Sequence, residues 1–388
     1  MGSSIVRKRL GRGLLVLGAF ALLPALSRSQ ATQPGEQFLP TQAPPNARYV
    51  GTKTCALCHD KQAEGQRENA MARALESVAE CEVLRAHPRL EFKSGKYLYT
   101  IERRGDQTIY TVTDGRDAIS EPILWAFGKN VMGQTYVLRH NGRMYESRVS
   151  FYKDTQALDL TLGAPSSATP ASLEEALGRQ MQSTDIKDCF GCHAQAAVSG
   201  GELQLEKMTP GVTCESCHGP GADHVALART GKAAGARDKR IFNPAAMSPY
   251  DLSQQFCGAC HRSWEQVQLS GLRGIGNVRF QPYRITYSRC YDPDDPRIAC
   301  TACHDVHRPI EQDVPGYDGK CLACHQAKGA RAPARSGASG KTAKAAACRV
   351  GTRNCASCHM PRYEIPGSHF RFADHMIRVV KPGEAYPN

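Results

Sequence analysis

A five-residue pattern, Cys-x-x-Cys-His, occurs seven times in this 388-residue chain and takes up fourteen of its seventeen cysteines. We number the copies as sites 1 to 7 in chain order. Six of them follow residue 188, and their first cysteines are only 21 to 43 residues apart. Segments this short cannot build a conventional hydrophobic core between sites. The first cysteines of the seven copies are Cys55, Cys189, Cys214, Cys257, Cys300, Cys321 and Cys355.

Two thiols at this spacing lie about one helical turn apart, close enough to add across the two vinyl groups of a single haem. The histidine after the second cysteine is then held against the iron as its proximal ligand. Zinc sites also use paired Cys-x-x-Cys units. Zinc requires no histidine after every pair, however, and seven is an odd number of half-sites. The pattern therefore predicts seven covalently bound c-type haems rather than zinc or ordinary disulfides.

The expected fold is a multihaem cytochrome c, in which mostly short helices and loops wrap around stacked haems that serve as the core. Each site is expected to supply two thioether cysteines and one proximal iron ligand. The thioether cysteines are Cys55, Cys58, Cys189, Cys192, Cys214, Cys217, Cys257, Cys260, Cys300, Cys303, Cys321, Cys324, Cys355 and Cys358. The proximal ligands are His59, His193, His218, His261, His304, His325 and His359.

Six histidines lie outside the motifs and are the candidates for distal ligands. Three residues span only about 10 Å even when extended, so His307 cannot pass round a porphyrin edge from His304 and reach the opposite face. We therefore expect His307 to bind a different haem, and His224 to do the same. His369 and His375, in the C-terminal tail, are expected to be ligands as well. The six candidates are His87, His140, His224, His307, His369 and His375.

The remaining candidates are more ambiguous. His87 is equally compatible with a ligand and with another role, whereas His140 precedes the turn dipeptide Asn141-Gly142 and is more typical of an exposed hairpin residue. Six histidines cannot fill seven distal positions, so Met71 is a candidate for the seventh.

Against this interpretation, Met71, Leu75 and Val78 also match an ordinary apolar helix stripe within a predicted helix over residues 60–80. A straight helix from His59 to Met71 would span about 18 Å. Met71 would therefore reach the haem of site 1 only after a break at Gly65, or would bind a neighbouring haem. An open first haem is the alternative.

The N-terminus has the pattern of a secretory signal peptide over residues 1–30, cleaved near Ser29 or Ala31. A basic start precedes an apolar stretch of 13 residues, Leu14 to Leu26, which is shorter than the ~20 residues of a spanning helix. An uncleaved anchor is the alternative. We expect a periplasmic or secreted protein without membrane association after cleavage. Residues 31–46, rich in Pro and Gln, are predicted to be a disordered leader.

The formal net charge of +12 would suggest nucleic-acid binding, but the signal peptide contains five basic residues and no acidic one, so its removal leaves +7. A ferric haem with both propionates ionised contributes about −1, which brings a seven-haem protein near neutrality. The basic residues are therefore expected to balance the haems, and no nucleic-acid partner is expected.

Between site 1 and site 2 lies a β-rich stretch, residues 97–165. Arg104-Gly105-Asp106 separates two strand-like runs, and Asn141-Gly142 separates two more, so two hairpins are predicted. Ser172 with Glu175 predicts a helix start through a capping box. The expected organisation is residues 47–96 for site 1 and its helix, 97–165 for an inserted small β-rich module, and 166–388 for a six-haem domain containing a mobile loop at 326–347.

Three cysteines fall outside the motifs: Cys81, Cys290 and Cys348. In an oxidising compartment two of them are expected to pair, and we favour Cys290 with Cys348. Three free thiols are the alternative.

Three strings resemble one superfamily: Cys214-Glu-Ser-Cys-His-Gly-Pro-Gly, Cys300-Thr-Ala-Cys-His-Asp-Val-His and Cys355-Ala-Ser-Cys-His-Met-Pro, with an Asp374-His375 ending. At these motifs the chain is similar to the superfamily of multihaem cytochromes that includes hydroxylamine oxidoreductase, pentahaem nitrite reductase and octahaem tetrathionate reductase. Tetrahaem electron carriers are relatives of the same superfamily. The resemblance implies stacked haem pairs, mostly bis-histidine ligation and periplasmic electron transfer. Some relatives use a lysine ligand at a catalytic haem, whereas every motif here carries histidine. Relatives also tend to carry a histidine where this chain has Met71.

The function expected is electron transfer between redox partners, which would be redox proteins or a membrane quinol oxidase or reductase complex. The alternative is a reductase that acts on a nitrogen or sulfur oxyanion at one open haem. A haem store or a ligand sensor is a third interpretation, but closely spaced haems fit electron flow better.

Overall fold

The computed structural model describes residues 38–129, 131–166, 169–231, 240–293, 295, 297–325 and 351–387. The predicted signal peptide, the whole of the predicted mobile loop at 326–347 and Cys348 lie outside these ranges, so the predictions about them stay predictions. Within the described ranges, every helix is too short or too polar to cross a membrane.

The largest element of the described chain is a nine-stranded antiparallel sheet with the order β2-β3-β4-β5-β6-β7-β8, to which β1 adds beside β5 and β9 beside β7. Strand β2 also lies against β8, so the two ends of the sheet approach each other. The strands are β1 Leu75–Ser77, β2 Arg89–Ser94, β3 Tyr97–Arg104, β4 Gln107–Thr113, β5 Ala118–Phe127, β6 Gly133–His140, β7 Arg143–Tyr152, β8 Ala157–Leu160 and β9 Gly178–Gln180.

Both predicted hairpins are confirmed. Arg104 pairs with Gln107 across the first turn, and His140 pairs with Arg143 across the second. Asn141 and Gly142 have φ angles of 48° and 76°. Two consecutive positive φ angles are those of a type I′ turn, whose twist matches that of the strands it joins.

The sheet encloses its own apolar core. Tyr99, Tyr110, Tyr136 and Ile101 are all 0% exposed inside it. The predicted helix at Ser172 is also confirmed: Ser172 Oγ accepts the backbone N–H of Glu175 at 3.2 Å. This helix, Leu173–Leu177, buries two residues against the same core.

The remaining elements of the described chain are short. The helices are α1 Thr52–Ala56, α2 Asp60–Glu68, α3 Glu82–Ala86, α4 Leu173–Leu177, α5 Ser183–His193, α6 Cys214–His218, α7 Ala222–Arg229, α8 Gly258–His261, α9 Trp264–Ser270, α10 Gln281–Ile285, α11 Cys300–Cys303, α12 Asp318–Leu322 and α13 Cys355–His359. Short 3₁₀ turns are Ala70–Arg73, Pro244–Ala246, Ile275–Arg279 and Val314–Tyr317, and Asp251–Cys257 is a π-helix. Three two-stranded ribbons pair β10 Ala194–Gln195 with β13 Thr209–Pro210, β11 Val198–Ser199 with β12 Glu202–Leu203, and β14 Arg362–Glu364 with β15 Arg371–Ala373.

The expected fold of short helices and loops is thus only part of the molecule, because the sheet is larger than a small inserted module. Strands β1, β2 and β9 lie outside residues 97–165. Strand β1 reaches the sheet by pairing Leu75 with Phe127, and β9 by pairing Gln180 with Tyr145. These pairings connect distant parts of the chain, which local patterns do not register.

The predicted helix over residues 60–80 is wrong beyond Glu68. Asn69 has extended backbone angles, φ −68° and ψ 142°, and its side chain accepts the N–H of Met71 to begin a 3₁₀ turn. The chain then enters β1, where Leu75 is 2% exposed. Pairing with β5 outweighs the local helical pattern, so Met71, Leu75 and Val78 do not form one helical stripe.

Residues 38–46, from the segment predicted to be a disordered leader, contact the folded chain. The Phe38 ring lies 5.5 Å from that of Phe242, and the Ala43 N–H donates to the Val198 carbonyl at 2.7 Å. An apolar side chain and one backbone bridge order this part of a segment whose composition is otherwise polar and Pro-rich.

Candidate haem sites

The motifs lie on, or at the ends of, short helices. Sites 3 and 7 occupy α6 and α13, site 2 ends α5, and site 5 begins with α11. In sites 1, 5 and 6 the backbone N–H of the motif histidine donates to the backbone carbonyl of the first cysteine at 2.9–3.0 Å. This helical turn brings the two thiols and the histidine of each motif to one side of the backbone, as one porphyrin requires.

Three motif histidines face a second histidine. The ring centroids are 6.4 Å apart for His59 and His224, 6.1 Å for His218 and His307, and 6.1 Å for His304 and His375. Two imidazoles on opposite sides of one metal, each with a bond of about 2 Å, place their centroids roughly 6 Å apart. The spacing of all three pairs therefore fits a haem iron between the two rings.

In each pair the second histidine follows a different site from the one it faces. His224 follows site 3 and faces site 1, His307 follows site 5 and faces site 3, and His375 follows site 7 and faces site 5. The structure thus brings His307 and His224 to sites other than those they follow in the sequence. Sites 1, 3, 5 and 7 are joined in series by these pairs.

Backbone carbonyls orient several of these rings. Nδ1 of His193 lies 2.8 Å from the Ala74 oxygen, Nδ1 of His218 lies 2.9 Å from the Phe242 oxygen, and Nδ1 of His359 lies 2.8 Å from the Arg378 oxygen. Nδ1 of His375 is 3.1 Å from the Ala373 oxygen. A proton on Nδ1 satisfies each carbonyl and leaves the Nε2 lone pair for a metal, as is usual for metal-binding histidines.

Burial favours the neutral form of four of the histidines at these sites. It lowers the pKa of His193, His218 and His304, and it lowers the pKa of His375 to about 4. The neutral imidazole is the form that coordinates a metal.

Four pairs of thiols from different motifs also lie close enough to interact, and three of these pairs connect sites that no histidine pair joins. They link site 1 to site 3, site 2 to site 4, site 4 to site 5, and site 6 to site 7. Together with the histidine pairs they join all seven sites into one connected set. The contacting pairs are Cys55 with Cys214, Cys192 with Cys260, Cys257 with Cys300, and Cys321 with Cys355.

For the motif histidines of sites 2, 4, 6 and 7, the structure describes no second histidine ring at this spacing. His369, expected as a ligand, lies elsewhere: its Nε2 is 2.8 Å from the Asp159 carboxylate and its ring packs on Tyr152 of β7. The segment that carries His369 therefore contacts the sheet through this side chain. Counting the ligands that seven irons need does not reveal such an alternative partner.

The other candidates also contact the sheet or, in the case of Met71, lie beside the segment that leads into site 3. Both ring nitrogens of His140 are engaged, Nδ1 with Glu121 and Nε2 with Asn141, and the His87 ring packs on Phe151. The Met71 carbonyl accepts the N–H of Val212 at 2.9 Å. Helix α2 runs unbroken through Gly65, and His59 faces His224, so Met71 does not meet the haem of site 1 by a break at that glycine.

The cysteines outside the motifs are separate from one another in the described chain. Cys81 is 0% exposed and its Sγ lies 2.9 Å from Gln134 Oε1. Cys290 lies close enough to Cys321 and Cys324 for their charges to raise its pKa, after the larger effect of burial. The predicted partner Cys348 lies outside the described residues. Among the described residues, no group of three or more His, Cys, Asp and Glu side chains converges as a metal site.

Sequence reasoning missed three buried carboxylates beside the sites. Asp318, just before site 6, accepts the N–H groups of Asn354 and Cys355 at 2.7 and 2.8 Å and so caps the helix of site 7. Glu215, between the cysteines of site 3, is 2% exposed and accepts backbone N–H groups near site 1. In the sequence, each of these two carboxylates is visible only as an acidic residue within three positions of a motif cysteine. The sequence alone does not distinguish such a residue from an acidic side chain exposed to solvent.

The third buried carboxylate is Asp374, which is 0% exposed. Arg284 donates to it from Nε at 2.8 Å and from Nη2 at 3.0 Å, and Arg378 donates from Nη1 at 2.9 Å. Asp374 precedes His375, and the Arg378 carbonyl holds His359. This buried ion cluster therefore connects a candidate ligand of site 5 with the proximal histidine of site 7.

Parts of the chain are similar to known c-type cytochromes. The family described as "Cytochrome c554 and c-prime" matches residues 146–219, which contain sites 2 and 3. Cytochrome c-554 of Nitrosomonas europaea is 33% identical over 98 residues, which cover 23% of this chain and 41% of that protein. The chain thus matches less than half the length of this curated relative. The outer cell wall cytochrome OcwA is 15% identical, with a TM-score of 0.46 over 86% of this chain and 80% of its own.

The family match, the relative and the motifs together support a multihaem c-type cytochrome with covalently bound haem.

Proposed function

We propose that this chain is a secreted, periplasmic cytochrome that carries seven c-type haems and passes electrons between redox partners. The proposed partners are redox proteins or a membrane quinol oxidase or reductase complex. Three of the haems, those of sites 1, 3 and 5, would have two histidine ligands, which is fewer than the mostly bis-histidine ligation that the resemblance to the multihaem superfamily implies.

The observation that carries this proposal is the connection of the seven sites by three histidine pairs and four thiol contacts. A histidine pair across one iron takes its two members from two motif segments, so neighbouring haems are tied together. A thiol contact between two motifs brings the attached edges of two haems side by side. Electron exchange between haems requires such proximity, and no site stands outside the set.

Haem supplies the one-electron chemistry, and the protein sets the potentials through axial ligands, burial and hydrogen bonds. This chain contributes neutral histidines fixed in one tautomer by backbone carbonyls, such as His193 on Ala74 and His218 on Phe242. Hydrogen bonding at Nδ1 raises the basicity of the coordinating nitrogen. Two such ligands favour a six-coordinate, low-spin iron that exchanges electrons without binding substrate.

The proposal is tested on matured protein from the periplasm. Intact-mass analysis should give seven haem increments on a chain lacking the predicted signal peptide. Electron paramagnetic spectra should show low-spin haems at sites 1, 3 and 5, and variants of His224, His307 and His375 to Ala should each convert one of them to high spin. Fewer than seven haems would overturn the haem count.

The same spectra distinguish the carrier from a reductase. A carrier gives spectra that nitrite, hydroxylamine and sulfite leave unchanged, and it oxidises and reduces reversibly on an electrode at all haems. A high-spin signal that shifts with one of these compounds, accompanied by turnover of it, would establish an enzyme in place of the proposed carrier.

A further inference from the structure

Glu215 lies inside the haem-binding motif of site 3, and its side chain is almost completely buried, although a carboxylate is costly to remove from water. It stands between Cys214 and Cys217 of site 3 and is 2% exposed. The contacts described for its two oxygens are with backbone N–H groups from two other segments. Oε1 accepts from Val50 at 2.9 Å and from Gly221 at 2.8 Å. Oε2 accepts from Gly51 at 2.8 Å and shares the N–H of Val50 at 3.2 Å.

These three N–H groups belong to the segments that carry the two facing histidines of site 1. Val50 and Gly51 immediately precede α1, which leads into Cys55 and His59. Gly221 is the N-cap residue of α7, which carries His224. A single side chain of site 3 therefore holds the start of both segments whose histidines face each other at 6.4 Å.

The fit around the carboxylate is close. Gly51 has a φ of 78°, a conformation that glycine adopts without strain. A Cβ added at Gly221 would lie 3.2 Å from Glu215 Oε1 and 3.2 Å from Val50 Cγ2. A side chain at residue 221 would therefore fit only if Glu215 or Val50 shifted by a few tenths of an ångström, because three backbone N–H groups approach one carboxylate.

We propose that Glu215 is a positioning residue for site 1, which fixes the spacing of His59 and His224 from within site 3. This inference rests on the proposed function, because it takes these two histidines to be the axial ligands of one haem. The carboxylate also places a fixed negative charge between sites 1 and 3. Negative charge stabilises the oxidised haem, so Glu215 lowers the reduction potentials of these two haems relative to a neutral residue.

The first variant is Glu215→Gln, which keeps the shape but removes the charge and replaces one acceptor oxygen by an NH₂ group. That NH₂ cannot accept from backbone N–H groups, so at least one of the three hydrogen bonds is lost. The holoprotein should show a changed low-spin signal for site 1, and redox titration should show raised potentials for sites 1 and 3 with the other five unchanged. The His224→Ala variant identifies the site 1 signal.

The matched control is Glu64→Gln, the same chemical change at an exposed position of α2, just after site 1. It should leave every spectrum and potential as in the wild type. If Glu215→Gln does not yield holoprotein, Gly221→Ala tests the same contact, since its single methyl group presses on Oε1. That variant should alter the site 1 signal and leave the net charge unchanged.

The outcomes separate the two proposals. A wild-type protein without a low-spin haem that depends on His224 would contradict the proposed ligation itself. A wild type with that haem, but with Glu215→Gln and Gly221→Ala spectra identical to it, would overturn the positioning role alone. Equal shifts at all seven haems would show a general loss of structure and would also overturn it.

Discussion

The β-sheet and the haem-bearing segments differ in where their buried surface comes from. The sheet is filled by its own side chains, with Tyr99, Tyr110 and Phe151 all 0% exposed. Helices α1, α11 and α13, which carry parts of sites 1, 5 and 7, bury no residue. The sheet thus has the apolar core of an ordinary protein, whereas the helices depend on the haems to cover them. Stability in the two regions should therefore respond to different changes.

The largest effect is expected from removing the haem of site 3 with the double substitution Cys214→Ser and Cys217→Ser. Site 3 touches site 1 through Cys55 and site 5 through His307, so order should be lost at all three sites. Hydrogen exchange should show lost amide protection around residues 50–60, 214–230 and 300–308, with protection kept in β3 to β7.

The matched control removes the haem of site 6 by Cys321→Ser with Cys324→Ser. This site is joined to site 7 through Cys321 and Cys355, and Tyr317 just before it packs on His304 of site 5. The loss of protection should therefore stay near residues 300–304, 314–325 and 354–364 and leave sites 1 and 3 protected. A sheet that unfolds together with site 3 would show that the two regions are not distinct.

The converse change is Tyr136→Ala in the sheet. Removing a fully buried aromatic side chain should lower the free energy of unfolding by about 3–5 kcal/mol through lost contacts and a cavity. Denaturant unfolding followed by amide exchange in the sheet measures it, and the haem spectra should not change. The control Tyr287→Ala, at a residue 40% exposed, should cost much less. A changed haem spectrum in Tyr136→Ala would weaken the comparison.

Asp374→Asn should affect the haem region through the buried ion cluster rather than through apolar packing. Arg284 is 1% exposed, and loss of the carboxylate leaves its charge uncompensated. Breaking such a buried pair costs about 3–5 kcal/mol, which thermal unfolding of the holoprotein should show, with altered signals for sites 5 and 7. The control Asp154→Asn removes an exposed carboxylate between β7 and β8 and should change little. Altered signals at sites 1 and 3 instead would place the cluster's influence elsewhere.

The smallest effect is expected from Asp318→Asn, and it should depend on pH. Hydrogen bonds from the backbone of Cys355 and Asn354 lower the pKa of Asp318 from its usual 3.8. A carboxylate with a lowered folded pKa contributes stability above its unfolded pKa, and the contribution is lost as the pH falls through the folded value. The variant should therefore be less stable than the wild type at pH 7, and the difference should shrink below pH 3.8. A difference that grows in acid would contradict this.

The sequence predicted the local features well. The Asn141-Gly142 hairpin and the helix at Ser172 each depend on a few neighbouring residues, and the structure confirms both. The argument that His307 cannot return to its own haem needed only the length of three residues, and the structure places it at site 3. Which site it would face was beyond reach, because that depends on how α2, α6 and the segment after site 5 pack.

The failures share a cause. Leu75 joins a strand because β5 lies beside it, and His369 bonds Asp159 because the tail returns to the sheet. Glu215 and Asp318 hold segments that are distant in the sequence. In each case the partner is set by the packing of the whole chain, and neither periodicity nor counts of ligands contain that information.

The series of histidine pairs has a consequence for how the protein is made. His59 emerges from the ribosome long before His224, His218 before His307, and His304 before His375. In each pair the second ligand therefore lies far downstream of the proximal histidine that it faces. A chain shortened before His375 would keep the whole motif of site 5 and lose the facing histidine, which would leave an iron bound there open to any small molecule.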